Sequence, residues 1–195
     1  MKKESILAEL EKEAALHHVP ILRETERAVF LAALRQAAPR RILEIGTAIG
    51  YSALLMAKAL PEAQITTIEI DLKRHARAEE AVRKAGEESR ISCLLGDASL
   101  LIPSLEGAFD LLYLDGPKGQ YLRHLQLAEP LLARNAVILA DNVLFRGLVA
   151  SHEAVPHRYR TMVMRLRDYI SYVMKEYDTV IHSDGDGLSV SVKRI

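Results

Sequence analysis

The sequence predicts an α/β fold: one seven-stranded, mostly parallel sheet with helices on both faces and an antiparallel hairpin at the C-terminus. Three observations lead there. Five short apolar runs, 41–45, 64–70, 91–95, 109–114 and 136–140, lack the apolar/polar alternation of half-exposed strands. Strands buried on both faces of a parallel sheet read this way. Helical patterns intervene between most of them, as the crossovers of a parallel sheet require. Finally, the strand-like runs 179–182 and 188–193 flank Ser183-Asp184-Gly185-Asp186-Gly187, and Asp-Gly between such runs signals a hairpin.

The elements follow in order. Ile6, Leu7, Leu10, Ala14 and Leu16 recur at helical spacing among glutamates and lysines, which predicts an amphipathic helix over 3–17 that Pro20 closes off. A second helix is expected over 24–36, ended by Pro39. Between the strands, helices are expected over 52–60, 72–85 and 120–132, with a short turn near 100–105, and the last helix over 158–175. No repeat, low-complexity stretch or linker interrupts the pattern. The expectation is one domain over 1–195, with N-terminal helices over 1–38 and the sheet over 40–195. The N-terminal helices could cap the mouth of a site, build a dimer contact or cover the sheet, the last being the ordinary role of such helices.

The chain has 195 residues, 49% hydrophobic and 27% charged, a globular composition. Lys+Arg is 26 and Asp+Glu is 26, so no long-range field draws it to nucleic acid, although a local basic face is compatible with that balance. One cysteine, Cys93, excludes a disulfide framework and thiolate metal clusters and suits a reducing cytoplasm. No apolar run approaches the roughly 20 residues that span a bilayer, and the glutamate-rich N-terminus is no secretory signal. A soluble cytoplasmic protein without a membrane partner is expected.

Open α/β sheets bind ligands at the C-terminal ends of their strands. The first strand runs into Glu44-Ile45-Gly46-Thr47-Ala48-Ile49-Gly50-Tyr51-Ser52, where two glycines around a tight turn would let the backbone approach a ligand, or serve only the geometry of a strand-to-helix turn. Glu44 stands where a dinucleotide fingerprint would carry its first glycine, which disfavours a nicotinamide dehydrogenase. Glu69 ends the second strand, 23 residues after Gly46, and an acid there can accept both hydroxyl hydrogens of a ribose. Asp97 and Ala98 follow the third strand, placed for an adenine edge. Each acid alone reads first as a solvated strand-end residue or helix cap; together they point to an adenosine-bearing cofactor. Asp115 ends the fourth strand and Asp141-Asn142 the fifth. Two carboxylates and an amide oxygen suit Mg²⁺ or Ca²⁺, and His17-His18 lack partners at zinc-ligand spacing. Lys118, three residues past Asp115, is a candidate proton acceptor beside such a cation. Taken alone, Asp115-Gly116-Pro117-Lys118 is also an ordinary turn with a solvated lysine.

These residues jointly resemble the metal-dependent O-methyltransferases that use S-adenosylmethionine, the family of the catechol and caffeoyl-CoA enzymes. The likeness is carried by Glu44-x-Gly46-Thr47, Gly50-Tyr51-Ser52, Thr67-Ile68-Glu69, Asp115-x-x-Lys118 and Asp141-Asn142, and it covers about 19–193. It implies a Rossmann-like class I methyltransferase sheet and methyl transfer to an ionised hydroxyl. It further implies Glu44, Gly46, Thr47, Ser52, Glu69, Asp97, Ala98 and Asp115 around S-adenosylmethionine, with Glu69 on the ribose, Asp97 and Ala98 on the adenine, and Gly46, Thr47 and Ser52 at the methionine end. Asp115, Asp141 and Asn142 would hold Mg²⁺, or Ca²⁺ or Mn²⁺ in its place, with Lys118 and Asp115 catalytic.

Within that family the sequence is similar to the bacterial tRNA 5-hydroxyuridine methyltransferases through residues 41–53, Asp141-Asn142-Val143-Leu144-Phe145-Arg146-Gly147, Lys118-Gly119-Gln120-Tyr121 and Gly185-Asp186-Gly187-Leu188. That branch implies a homodimer that methylates wobble uridine in the tRNA anticodon. Pro117 stands where the animal catechol enzymes carry tryptophan, and the chain has Trp 0. Arg134-Asn135-Ala136 replaces a glycine-containing turn, an expected loop change. Between 145 and 175, Arg146, Arg158, Arg160, Arg165, Arg167 and Lys175 face only Glu153 and Asp168, with His157, Tyr159, Tyr169 and Tyr172 interleaved. Such a stretch suits bases stacked on aromatics, or it is an amphipathic helix with a basic solvated face. A small catechol-like substrate and a non-catalytic cofactor- and RNA-binding module are the alternatives.

Overall fold

The computed structural model describes residues 2–151 and 153–193. Seven strands form one sheet in the order β3-β2-β1-β4-β5-β7-β6: β1 (Arg41–Ile45), β2 (Gln64–Glu69), β3 (Ile91–Leu95), β4 (Phe109–Leu114), β5 (Leu132–Ala140), β6 (Tyr177–His182) and β7 (Leu188–Lys193). The first five are parallel, and β7 lies antiparallel between β5 and β6. This is the expected architecture, hairpin included. The order reverses at β1, so a crevice opens where β1 and β4 separate at their C-terminal ends.

Helices α1 (Lys2–His17), α2 (Glu24–Ala37), α3 (Tyr51–Ala59) and α4 (Leu72–Ala85) cover one face. The other is covered by α5 (Ala98–Leu101), α6 (Tyr121–Ala128) and α7 (Arg160–Glu176). Central strand β4 shows why its sequence does not alternate: Leu111 and Tyr113 join the first apolar cluster, Leu112 and Leu114 the second, and all four are 0% exposed. Helix α1 forms an outer layer, burying Ile6, Leu7, Leu10 and Ala14. Its acidic side is pinned to α4 by Arg77 on Glu9 and Glu13 and by Lys84 on Glu9.

Three boundaries differ from expectation for local reasons. Pro130 has no N–H to continue α6, which stops at Ala128 and gives way to a single 3-10 turn, Glu129–Leu131, before β5. Phe109 pairs with Leu132 but Leu111 with Val137, so β5 bulges, and the exposed Arg134 and Asn135 are absorbed there without breaking the ladder. The turn expected near 100–105 starts earlier, as α5 capped by Asp97. Among the described residues no helix is long and apolar enough to cross a membrane.

Candidate active site

The turn after β1 is built by close packing. Gly46 has φ +102°, and a Cβ on it would lie 2.5 Å from the Asp115 carbonyl oxygen. The glycine is therefore required by the end of β4, the geometric one of the two needs the sequence suggested. Beneath the turn, Glu44 is 0% exposed and accepts hydrogen bonds from Ser52 Oγ and Thr67 Oγ1, both at 2.5 Å. Thr47 Oγ1 lies 2.6 Å from Thr67 Oγ1. Burial pushes the Glu44 carboxyl up to about 7. Glu44, Thr47 and Ser52, expected around the cofactor, thus brace the turn from below. Thr47 and Ser52 reach only a narrow recess beside the connection between α1 and α2.

Above the turn lies a cleft of about 700 Å³, lined by Gly46, Glu69, Asp97, Ala98, Asp115, Lys118, Asp141 and Asn142 among others. The remaining expected site residues therefore converge. Glu69 is held by two backbone donors, Ala48 N–H on Oε2 at 2.8 Å and Asp71 N–H on Oε1 at 2.9 Å. That fixes both oxygens while each keeps further lone-pair capacity, the geometry a vicinal diol needs. Asp97 Oδ1 accepts from Ser99 N–H at 2.8 Å, so the acid is both cap and cleft wall.

At the adjacent ends of β4 and β5, Asp141 N–H donates to the Leu114 carbonyl at 3.0 Å, which sets Asp141 beside Asp115. Burial first, then the Asp141 carboxylate, push Asp115 up to about 8. Burial and the Glu26 carboxylate push Asp141 up to about 6. Two carboxylates that resist ionising together, next to the Asn142 amide, suit a hard divalent cation that would neutralise them. Among the described residues no three His, Cys, Asp or Glu side chains converge as a metal cage. An ion here would rely on the amide and on water or substrate for its other ligands. Lys118 Nζ stands 3.9 Å from Asp115 Oδ1 and 3.3 Å from Tyr121 Oη, and Tyr121 donates to the Asp141 carbonyl at 3.0 Å. Pro117 leaves Lys118 facing the cleft.

Several cleft residues escaped the sequence reading. Pro20, Ile21, Arg23 and Glu26 come from the α1–α2 connection and the start of α2. Glu26 is 4% exposed and accepts from the backbone N–H of Arg23 and of Asp186, both at 3.2 Å, which ties the hairpin turn to the cleft. A Cβ at Gly185 would strike Glu26 at 2.3 Å, so the glycine permits that approach. The one signal in sequence was a glutamate three residues into a helix, the pattern of a capping box. Gln120 and His124 also line the cleft.

The basic stretch proves mixed. Tyr169 is 0% exposed, and Tyr172 donates to Glu129 at 2.8 Å, so neither is free to stack on a base. Arg167 donates to the carbonyls of Leu148, Val149 and Ser151, holding the loop after β5. Arg146, Phe145, Tyr159 and Arg158 form a continuous ladder instead. The two rings meet edge-on at 5.3 Å, with Arg146 5.7 Å from the Phe145 ring and Arg158 4.5 Å from the Tyr159 ring.

A family model described as O-methyltransferase matches residues 1–194. The chain is 34% identical to the O-methyltransferase ankF of Aspergillus thermomutatus, over 80% of this chain and 64% of that protein. It is 33% identical to catechol O-methyltransferase of Bos taurus, over 84% of this chain and 61% of that one. It spans half to two thirds of the length of such relatives. Among solved structures it resembles the Podospora anserina methyltransferase PaMTH1, which holds SAH, with TM-score 0.84 and 27% identity, covering 97% of this chain and 88% of that one. By the family match along nearly its whole length, and by a fold of the same kind, the chain belongs to the O-methyltransferase family.

Proposed function

We propose that the protein is an S-adenosylmethionine-dependent, divalent-metal-dependent O-methyltransferase that acts on an acidic hydroxyl. One observation carries this: Glu69, Asp97, Asp115, Lys118, Asp141 and Asn142, from four successive strand ends, face a single cleft. Glu69 grips the ribose with two fixed oxygens, and Asp97 and Ala98 hold the base. Asp115, Asp141 and Asn142 would hold the cation. When bound, S-adenosylmethionine supplies an activated methyl group and the cation supplies Lewis acidity to the acceptor oxygen. Lys118 Nζ, held by Tyr121 Oη, takes the hydroxyl proton or steadies the oxyanion left behind. Positioning two bound reactants in line is worth about 7–11 kcal/mol of barrier in favourable cases. The rigid bracing of the turn by Glu44, Thr47 and Ser52 serves that end.

For the acceptor we favour 5-hydroxyuridine at the wobble position of tRNA, giving 5-methoxyuridine. The Arg146–Phe145–Tyr159–Arg158 ladder supports it, because it begins three residues after Asn142 and offers stacking and phosphate contacts. A small catechol-like acceptor is the second candidate, since the same oxygen set suits any vicinal or enolic hydroxyl and relatives bear catechol names. The test is methyl transfer from labelled S-adenosylmethionine to tRNA carrying 5-hydroxyuridine, to tRNA lacking it, and to catechol, with and without chelator. Label on the hydroxylated tRNA alone, lost with chelator, is expected. Label on catechol alone moves the protein to small-molecule chemistry. A folded Asp141→Ala protein with full, chelator-insensitive transfer overturns the metal scheme.

A further inference from the structure

Beside Asp97 and Ala98, three more polar side chains meet. His124 of α6 is 2% exposed, its Nε2 lies 3.3 Å from Ser99 Oγ, and its Nδ1 is buried with no hydrogen-bond partner among the described residues. Ser99 Oγ lies 3.3 Å from Gln120 Oε1. Gln120 and His124 line the cleft at the end that Asp97 and Ala98 share.

The orphan nitrogen sets the direction of this chain. Buried donors left unpaired are rarer than under-satisfied acceptors, so Nδ1 carries the lone pair and Nε2 the proton. Burial also lowers the proton affinity of His124 and keeps its ring neutral. Ser99 Oγ then accepts from Nε2–H and gives its single proton to Gln120 Oε1. With its carbonyl oxygen held by Ser99, Gln120 keeps its NH₂ as the donor it offers the cleft. Asp97 is the opposite: Oδ1 is taken by Ser99 N–H, and the second oxygen remains an acceptor.

We propose that Gln120, oriented by Ser99 and His124, is a base-specificity residue that pairs with Asp97 to present one donor beside one acceptor. This rests on the adenosyl cofactor proposed above. On adenine an amino donor adjoins an unprotonated ring nitrogen, which complements that pair. Hypoxanthine carries a carbonyl in place of the amino group and would set an acceptor against Asp97. Sites built around such polar pairs reject the mismatched analogue because the buried groups are left unpaired.

Calorimetric binding of S-adenosylhomocysteine and S-inosylhomocysteine tests it, on wild-type protein and on Gln120→Glu, Ser99→Ala and His124→Phe, with thermal melts to confirm folding. Wild type is expected to prefer the adenosyl ligand. Gln120→Glu keeps the shape but replaces the donor with an acceptor, and should weaken adenosyl binding about tenfold or more. Ser99→Ala and His124→Phe should erode the preference by less, because an untethered amide can still rotate. Gln120 is half-buried, so Gln120→Glu keeps the test sound even where the buried His124 variant fails to fold. Adenosyl binding by Gln120→Glu equal to wild type overturns the proposal, as does equal binding of both ligands by wild type. Failure of folded wild type to bind S-adenosylhomocysteine at all instead removes the cofactor, and this specificity with it.

Discussion

Glu44 sits at the centre of the sheet with two hydroxyl donors and, among the described residues, no cation paired with it, so its charge is offset by hydrogen bonds. Burial raises its carboxyl to about 7 in the folded chain, against 4.5 for the free group. Between those values the folded state binds more protons than the unfolded chain, so stability from this group falls as pH rises from about 4.5 to about 7 and then levels off. Glu44→Gln is neutral at every pH, so its melting temperature should fall less than that of wild type between pH 5 and pH 8. An identical pH slope in both proteins would remove Glu44 as the titrating group. Gly46→Ala tests the same turn sterically: φ +102° alone costs about 1–3 kcal/mol, and the contact with Asp115 adds to it. A urea midpoint shifted well below wild type is expected, and an unchanged midpoint would mean the turn can open. The acids at strand ends were legible in sequence because a parallel sheet fixes where its strands end. The orientations of Glu44, Thr47 and Ser52 were not, since facing the cleft or the core depends on one turn of backbone. Glu26 and His124 as cleft residues were hidden for another reason: they reach it only through packing of α2 and α6, and the capping-box pattern at Glu26 marks a helix start and not a cleft.

At the scale of elements, strands β1, β3 and β4 lie where the apolar runs put them, and β5 grew four residues past its run because its N-terminal half is a polar bulge. Periodicity sees burial, and a bulge facing solvent is not buried. The helix that carries the glycine turn, α3, shows how such an element is finished off. Its last carbonyls are not met by a glycine cap; Arg90, before β3, donates to the carbonyls of Ala57, Leu60 and Ala63 at 3.0, 3.1 and 3.2 Å. The same guanidinium pairs with Glu87, which is 4% exposed. One planar fork thus joins the end of α3 to the start of β3. Arg90→Ala strands carbonyls that have lost their partner, and a cost of about 2–3 kcal/mol is expected in urea denaturation. Arg90→Lys should recover little of it, since an ammonium cannot bridge three carbonyls in one plane. Full recovery by lysine would show that charge, not geometry, does this work.

Across the whole molecule, 26 basic residues balance 26 acidic ones, so any attraction to RNA must be local. The cleft itself carries Glu26, Glu69, Asp97, Asp115 and Asp141 against Arg23, Arg74 and Lys118, an acidic balance that offers a polyanion no pull. What remains is the exposed side of the loop after β5 and the start of α7, where Arg146, Arg158 and Arg165 are exposed, while Arg160 already donates to the Val155 carbonyl and Arg167 to three others. Three cations on a single-stranded loop should release about two counterions, so log K for an anticodon stem-loop should fall with log salt at a slope of about −2. A slope near −10, as in proteins with a continuous basic track, is not compatible with this charge distribution. Fluorescence anisotropy between 50 and 200 mM salt measures it, and Arg158→Ala should lower the slope by about 0.7 without touching folding. Arg167→Ala should instead loosen the loop and lower stability, because that side chain is spent on the protein's own backbone. A flat salt curve with binding retained would mean the acceptor carries no phosphates in contact, and the ladder of arginines and rings would then be a surface that merely packs the loop against α7.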